Sequence, residues 1–204
     1  MGIISVDLFI TLDGVYQAPG GPEEDLSDGF ELGGWQGAYF DDESGKAISA
    51  GIERMDALLL GRRTYDIFAS YWPHQGANNP IATKFNAIDK FVVSRSLTDP
   101  SWAGTTVLSE LSEVAALKEK YTDIHVVGSG DLARSLLREQ IADRLNLYLY
   151  PLTLGSGKRL FAEGTGVPAA FHVAQPPVAF PKGSIALTYE RAGLPVTGFD
   201  MGAA

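Results

Sequence analysis

The sequence predicts an α/β fold with a mixed, mostly parallel central sheet. Two patterns lead to this class. Strand-like and helix-like segments alternate as far as Gln140, and the segments after it are strands alone. Such an order is typical of a mainly parallel sheet flanked by helices that ends in an antiparallel C-terminal edge. The length of 204 residues suits one domain. We expect that domain over residues 1–192 and a loose tail over 193–204.

The first strand is expected over residues 3–12, where Ile4, Val6, Leu8 and Ile10 share one face. Further strands are expected at 56–60, 90–94, 105–108, 124–127, 144–150, 171–174 and 184–190. Helices are expected to begin near 41, 62, 110 and 131 and to lie between the earlier strands.

Two connections and one strand carry further expectations. The irregular segment 14–37 is rich in glycine and proline, and it is either an active-site lid or a solvated insertion. The segments 175–177 and 181–183 are expected to join the last strands. The strand at 144–150 has Tyr148 and Tyr150 on its polar face, where they are available to pair with a second copy.

Composition excludes several classes of function. The formal net charge of −9 disfavours nucleic acid as a partner. No apolar run is long enough to cross a membrane, and there is no basic-then-apolar leader. The absence of cysteine rules out disulfides and thiolate chemistry. We therefore expect a cytoplasmic protein that binds small molecules.

Three strand ends have a similar chemistry. Leu60 leads into Gly61, Arg62, Arg63 and Thr64; Val93 leads into Ser94 and Arg95; Val127 leads into a glycine turn. Ligands of open α/β sheets bind beyond the carboxyl ends of the strands. Helix N-termini favour anions and arginine grips phosphate with paired bonds, so the three loops together indicate a dinucleotide. Ser94 and Arg95 suit a 2′-phosphate and favour NADPH over NADH.

A Rossmann-type NAD dehydrogenase is an alternative, because Gly128, Gly130 and Ala133 fit the G-x-G-x-x-A spacing. Two facts count against it. The motif lies late in the chain, and the acidic residue expected ~20 positions later is missing.

Five motifs span nearly the whole chain in a specific order and spacing. These motifs are Thr11-Leu12-Asp13-Gly14, Leu59-Leu60-Gly61-Arg62-Arg63-Thr64-Tyr65, Val92-Val93-Ser94-Arg95, Val127-Gly128-Ser129-Gly130 and Pro151-Leu152-Thr153-Leu154-Gly155. By these motifs the chain resembles the dihydrofolate reductase-like superfamily, with a fold of that class, and in particular the branch of the riboflavin-biosynthesis pyrimidine reductase (RibD C-terminal) domain.

The resemblance implies an NADPH-dependent reductase that transfers a hydride to a small pteridine- or pyrimidine-like substrate. Dihydrofolate reductase and 5-amino-6-(5-phosphoribosylamino)uracil reductase are the models for this activity, and relatives in the branch are commonly dimeric. Gly61, Arg62, Arg63 and Thr64 would contact the pyrophosphate, and Ser94 and Arg95 the 2′-phosphate. The diphosphate and nicotinamide side would be lined by Gly128, Ser129, Gly130, Asp131 and Leu132.

The candidate catalytic acids are Asp13 and Asp41, with turn formation and helix capping as their structural alternatives. Trp35, Phe40 and Tyr65 are candidates to hold a flat heterocycle, with core packing as the alternative. Folate reductases bind the glutamate tail with an arginine after the second helix, and residues 64–94 contain none. Folate is therefore not the expected substrate.

Other signatures are missing. His74, His125 and His172 have no metal-like spacing, so we expect no metal and isolated structural histidines. A non-catalytic NADP(H)-binding sensor would have the same cofactor loops and remains the second hypothesis.

Overall fold

A computed structural model describes residues 1–76, 78–164, 168–200 and 202 of the chain. Within these ranges the strands, numbered in chain order, are β1 (Ile3–Thr11), β2 (Ala57–Gly61), β3 (Asp89–Val93), β4 (Thr105–Leu108), β5 (Asp123–Val127), β6 (Arg144–Tyr150), β7 (Ala170–Ala179) and β8 (Ile185–Gly193). The α-helices of the same ranges are α1 (Asp42–Arg54), α2 (Arg62–Tyr71), α3 (Pro80–Ala87), α4 (Leu111–Ala116) and α5 (Gly130–Arg138).

The strands of the described chain form one sheet in the order β4-β3-β2-β5-β1-β6-β8-β7. The first six are parallel, whereas β8 and β7 run antiparallel to their neighbours. The predicted mixed sheet with an antiparallel C-terminal edge is confirmed. A Rossmann-type sheet has another strand order, with its glycine turn after the first strand, so that alternative is wrong.

The strand alternation places a core on each face of the sheet. On one face Ile4, Val6, Leu8 and Ile10 pack against α4 and α5. On the other face α1, α2 and α3 cover β2 and β3 through side chains such as Leu58, Leu60 and Phe85. Burial on both faces explains the unbroken apolar run of β2.

Local sequence signals account for the helix starts. Asp41 and Ser44 form a capping box at the start of α1. Asn79 caps α3 and Pro80 occupies its first turn. Helix α3 was not predicted, because the proline-containing segment before it resembles a loop and the helix has only eight residues.

The C-terminal strands differ from expectation in two respects. Residues 175–177, expected as a connection, lie inside β7, which is an edge strand with irregular register. Proline is tolerated at an edge because the edge N–H has no ladder partner to lose. The strand with Tyr148 and Tyr150 pairs with β1 and β8 and is internal, so its expected pairing with a second copy is wrong.

No helix in the described part of the chain is both long and apolar enough to span a bilayer.

Candidate active site

The carboxyl ends of β2 and β3, the residues after β4 and the start of α5, which follows β5, border a cleft of about 710 Å³. The sheet order brings them together, because β2 lies between β3 and β5, and β4 lies beside β3. Six residues assigned to the cofactor from sequence line this cleft: Gly61, Arg62, Ser94, Arg95, Asp131 and Leu132.

The turns after β2 and β5 contact each other directly. The Gly61 backbone N–H donates to Ser129 Oγ at 2.8 Å. Gly128 has a φ of +65°, and a methyl group placed there would lie 3.4 Å from Cγ2 of Thr64. The left-handed conformation favours glycine at this position, whereas the contact with Thr64 would be an ordinary van der Waals contact. Two of the loops grouped by sequence therefore form one surface.

Both helices that start at this surface have N-termini suited to an anion. Neither α2 nor α5 has a side-chain cap among the described contacts. The first N–H groups of a helix have no intrahelical partner, and the dipole adds positive potential there. A phosphate would satisfy these groups, so the residues present fit a dinucleotide.

Two arginines line the cleft. Arg62 forms an ion pair with Asp66, which has an N···O distance of 2.9 Å. Arg95 is exposed, and within the described ranges it has no hydrogen-bond or ion-pair partner. It follows Ser94, whose hydroxyl accepts from the backbone N–H groups of Ser96 and Leu97 and so holds the loop. Arg95 is thus a cation at the cleft, which the acidic residues Glu110 and Asp131 also line, and none of the described ion pairs joins it to either of them.

Arg63 has a different environment from Arg62. Its Nη1 donates to Ser27 Oγ at 2.8 Å, which connects α2 to the long segment after β1. It does not line the cleft with Arg62, and its assignment to the pyrophosphate gains no support from this position.

The segment 14–37 is packed rather than open. Val15, Ala18 and Phe30 form a small buried cluster within it. Lys158 Nζ ties the segment to the chain after β6 through Asp25, at 2.6 Å. Of the two expectations, a solvated insertion fits this segment poorly.

Tyr16, in the same segment, lies over the first residue of α5. A methyl carbon built on Gly130 would fall within 3.0 Å of three atoms of the Tyr16 side chain. Gly130 is therefore required for the close approach of the Tyr16 ring to α5, in addition to its predicted role at the cofactor.

Asp13 is a structural carboxylate in this fold. It accepts hydrogen bonds from Thr11 Oγ1 at 2.6 Å and from the backbone N–H groups of Leu154 and Gly155, and it pairs with Arg159. Desolvation acts against these contacts, but together they hold the pKa of Asp13 well below its usual range. Such a group does not carry a proton near neutral pH. These surroundings argue against the predicted catalytic role.

Asp41 is the N-cap of α1. Its carboxylate accepts from the backbone N–H of Ser44 at 2.8 Å and from that of Lys182 at 3.0 Å. These hydrogen bonds, that of Ser44 first, lower the pKa of Asp41. The capping alternative accounts for the contact with Ser44, the contact with Lys182 connects the helix start to the turn before β8, and a proton donor is the poorer interpretation.

The three aromatic residues assigned to the substrate lie in different surroundings. Tyr65 is buried in the core between the sheet and α2, and its hydroxyl accepts from the backbone N–H of Trp102 at 3.1 Å. These surroundings argue against its assignment to the substrate, because the ring is buried. Trp35 is buried and its Nε1 donates to the Gln17 carbonyl. Phe40 is exposed and lines a second cleft, of about 410 Å³, at the start of α1.

Side chains from three strands form a polar and aromatic surface beside these loops, on the sheet face that carries α1. We call it the β1 face; its members are Asp7, Phe9, His125, Val127, Asn146 and Tyr148. Asp7 Oδ2 lies 2.6 Å from His125 Nδ1, and Asp7 Oδ1 accepts from Asn146 Nδ2 at 2.8 Å. His125 is thus not the isolated histidine expected from the sequence.

Aromatic rings extend the β1 face toward the carboxyl end of the sheet. The ring centroids of Phe9 and Tyr148 are 5.5 Å apart, and Tyr148 stacks on Phe180 at 6.2 Å. Trp35 meets Tyr150 edge to face at 5.4 Å, so this predicted substrate residue touches the border of the surface. Burial raises the pKa of Tyr148 to about 12, and the charge of Asp7 adds to the effect.

The alternation of β1 signals this surface in the sequence. Asp7 is the single charged residue within the first strand, and a charged side chain is rarely placed on a central strand without a partner. What the sequence does not reveal is that His125 and Asn146 are the partners. Among the described residues no group of three or more His, Asp or Glu side chains is arranged to hold a metal ion.

Comparisons with known proteins agree with this architecture. The family model described as the RibD C-terminal domain matches residues 3–175 of the chain. The uncharacterized protein YyaP of Bacillus subtilis (strain 168) is 24% identical over 169 residues, which span 78% of this chain and 80% of that protein.

Three solved structures share the fold at low sequence identity. A putative riboflavin biosynthesis protein from Shewanella sp. PV-4 has a TM-score of 0.66 at 19% identity, over 93% of this chain and 98% of that one. A dihydrofolate reductase from Enterococcus faecalis, solved with NADP(H) and RAB-propyl, has a TM-score of 0.58 at 20% identity, over 94% and 97%. RibD from Acinetobacter baumannii has a TM-score of 0.62 at 13% identity, over 94% of this chain and 58% of that one.

Proposed function

Because the chain belongs to the RibD C-terminal domain family, we propose that it is an NADPH-dependent reductase of a small heterocyclic substrate. The observation that carries the proposal is the cleft at the strand ends, where two uncapped helix N-termini and two arginines converge. The dihydrofolate reductase that shares the fold was solved with NADP(H), which supports the same cofactor here.

Different loops around the cleft would bind different parts of the cofactor. The turn at Gly61 and Arg62 and the turn at 128–130 would bind the diphosphate through backbone N–H groups. Ser94 and Arg95 would bind the 2′-phosphate, which NADH lacks. The unpartnered guanidinium of Arg95 favours this assignment, because an exposed cation in water loses little when it turns to a phosphate.

NADPH, when bound, supplies a hydride from C4 of its nicotinamide. The protein positions the two reactants and excludes water. The proton that completes the reduction must come from an acidic group or from water at the site. Asp13 and Asp41 suit this role poorly, since both carboxylates are held as hydrogen-bonded anions.

The substrate surface that we propose is the β1 face. It adjoins the cofactor loops, since the Gly128 N–H donates to the Asp7 carbonyl at 3.1 Å. Its rings offer flat contact area to a pyrimidine or pteridine. Trp35 and Phe40 would border the substrate rather than enclose it.

A non-catalytic NADP(H)-binding protein is the second candidate. The observation that favours it is that both carboxylates predicted to be catalytic have structural roles. This protein would bind the cofactor in the same cleft but would not oxidise it.

Two measurements on the purified protein test both candidates. NADPH binding is measured by quenching of tryptophan fluorescence, with NADH as the comparison. NADPH oxidation is then followed by absorbance with dihydropteridines, aminopyrimidine ribosides and dihydrofolate as substrates. Tighter binding of NADPH together with turnover of a pyrimidine or pteridine supports the reductase. Binding without turnover across the panel supports the second candidate, and no binding of either nucleotide contradicts both.

The resemblance also implies riboflavin biosynthesis as the setting and a homodimer as the assembly. We retain both in the proposal. Light scattering coupled to size-exclusion chromatography tests the dimer directly, and an aminopyrimidine substrate in the panel above tests the pathway.

A further inference from the structure

The turn at 128–130 lies between the two surfaces that the proposed function assigns to cofactor and substrate. On one side, the first turn of α5 lines the cleft through Asp131 and Leu132, and in the described chain the lining does not include 128–130. On the other side, the Gly128 N–H donates to the Asp7 carbonyl of the β1 face at 3.1 Å. A dinucleotide with its adenosine end in the cleft must therefore cross this turn to bring its nicotinamide to the β1 face.

The side chain of Tyr16 occupies this crossing. A methyl carbon built on Gly130 would clash with Cζ and with the hydroxyl oxygen of Tyr16. The outer end of the phenol thus lies directly against the first residue of α5. This is the helix start that has no side-chain cap among the described contacts and that the proposed function assigns to the diphosphate.

Two guanidinium groups lie close to the Tyr16 hydroxyl. Arg134, one turn further along α5, forms a hydrogen bond with it. Arg134 is itself fixed, because its Nη1 donates to the Arg159 carbonyl at 2.9 Å. Burial raises the pKa of Tyr16, whereas the charges of Arg134 and Arg63 act to lower it. The phenol therefore fills a position beside two cations and a helix N-terminus.

The carboxylates near the phenol are already paired. Asp25 acts on the hydroxyl in the opposite direction to the arginines, but the Nζ of Lys158 lies 2.6 Å from its Oδ2. Asp131 forms an ion pair with Arg134. With Arg63 included, three cations face two carboxylates, and the helix dipole adds further positive potential. The position that the phenol fills is thus electrostatically suited to an anion.

The Tyr16 ring can leave this position by rotation of its side chain. The backbone is held in place, because the Tyr16 N–H donates to the Lys158 carbonyl at 3.0 Å and the neighbouring Val15 bridges to Arg159. The side chain is half-buried, so one part of it is already in contact with solvent. Rotation about its side-chain bonds opens the crossing without movement of the chain around it.

Resting on the proposed function, we propose that the Tyr16 side chain is a gate, which closes the diphosphate position in the free protein and leaves it when NADPH binds. In the closed state the phenol hydroxyl takes the place of a phosphate oxygen beside Arg134, and the cleft accepts only the adenosine end of the cofactor. In the open state the Gly130 N–H and both guanidinium groups face the diphosphate. The pyrophosphate assignment of Arg63, which the closed state does not support, then belongs to the open state.

Two ligands of different length test the gate by isothermal titration calorimetry. Adenosine 2′,5′-bisphosphate, which lacks the second phosphate and the nicotinamide, fits the closed state, whereas NADPH requires the open state. Tyr16→Ala removes the gate, and we expect its affinity for NADPH to rise about 10-fold, as for an open state populated at about one in ten. Its affinity for the bisphosphate should stay within about twofold of wild type, because this ligand does not distinguish the two states.

Tyr121→Ala is the matched control. Tyr121 is another half-buried tyrosine that packs against the same apolar core, but its hydroxyl donates to Asp89 at the amino end of β3, away from the cleft. We expect this variant to bind both ligands as wild type does. Far-ultraviolet circular dichroism of the two variants checks that the fold is retained.

A nuclear magnetic resonance measurement on the wild type detects the gate without relying on the folding of a variant that lacks the ring. The signals of Tyr16 are identified as those missing from the tyrosine-labelled Tyr16→Phe protein. In the free protein we expect a nuclear Overhauser effect between the Tyr16 ring and the Gly130 Hα protons. The effect should persist with adenosine 2′,5′-bisphosphate and vanish with NADPH.

These measurements can overturn the inference in three ways. It is wrong if Tyr16→Ala binds NADPH no more tightly than wild type, if the affinity for the bisphosphate rises equally, or if the Overhauser effect persists in the NADPH complex. Failure of both wild type and Tyr16→Ala to bind either ligand contradicts the proposed function itself. Binding of NADPH that does not depend on Tyr16 contradicts this inference alone.

Discussion

The contact between Tyr16 and Gly130 predicts that Gly130→Ala changes the free energy of unfolding in opposite directions with and without the tyrosine. In the wild type, Gly130→Ala places a methyl group within 3.0 Å of the Tyr16 ring. The ring cannot shift with its backbone, because Tyr16 N donates to the Lys158 carbonyl and Val15 bridges to Arg159. Tyr16 must leave its half-buried position or α5 must move, and overpacking of this kind costs about 1–3 kcal/mol.

The same substitution has the opposite effect when the tyrosine is absent. In a Tyr16→Ala background no ring opposes the new methyl group. Gly130 has no positive φ, so alanine fits its backbone and stabilises by about 0.4–1 kcal/mol through the unfolded chain. The double-mutant cycle therefore predicts a coupling of about 1.5–4 kcal/mol between the two positions, as for residues in direct contact.

Urea unfolding of the four proteins, followed by far-ultraviolet circular dichroism, measures this coupling. Equal m-values across the set are the control for a common unfolded state. If Gly130→Ala destabilises both backgrounds equally, the ring does not pack on α5 as described. Close approach of the Tyr16 ring is then not the reason for glycine at position 130.

Three further predictions concern single sites. Arg95→Ala should weaken NADPH binding about 10- to 100-fold and NADH binding less than about threefold, because a charge-assisted pair with the 2′-phosphate is lost. Lys46→Ala on α1 is the control and should change neither affinity. An equal loss of affinity for both nucleotides excludes the 2′-phosphate assignment. Tyr65→Phe leaves the buried Trp102 N–H without its acceptor and should cost about 1–3 kcal/mol in urea unfolding. NADPH affinity should stay unchanged, and a specific loss of substrate affinity would restore Tyr65 to the site. The pKa of His125, raised to about 10 from 6.5, means that its stabilisation is complete below pH 6.5 and is lost as the pH rises toward 10. His125→Gln should flatten that decline in urea unfolding, and an unchanged pH profile would contradict the charged imidazole.

Sequence periodicity was enough to predict most of the sheet, because burial on one or both faces leaves a direct record in the spacing of apolar residues. The strands 105–108 and 144–150 have the predicted bounds. The prediction of strands and helices failed where the tertiary structure outweighed a local sequence preference. Residues 175–177 continue β7 because the edge of a sheet tolerates proline, and α3 is too short to show a helical period.

The proposed cofactor cleft was more predictable from the sequence than the proposed substrate surface. Loops at the carboxyl ends of parallel strands meet in any such sheet, so Gly61, Arg62 and Arg95 were grouped before the strand order was known. The β1 face depends on which strands are neighbours. Asp7 and His125 are 118 positions apart, and no spacing rule connects them. The residue type alone also does not separate the two aspartates. Asp13 accepts hydrogen bonds within a turn, whereas Asp7 lies on the β1 face.

The central position of β1 also has a consequence for synthesis of the chain. Its neighbours β5 and β6 are formed by residues 123–127 and 144–150, so β1 cannot pair with both of them until residue 150 has been translated. During that interval Ile4, Val6, Leu8 and Ile10 cannot be buried in their native sites. Such long-range pairing slows folding and exposes an aggregation-prone segment on the ribosome. We therefore expect β1, although it is central in the folded sheet, to be a segment that a nascent-chain chaperone can bind during synthesis.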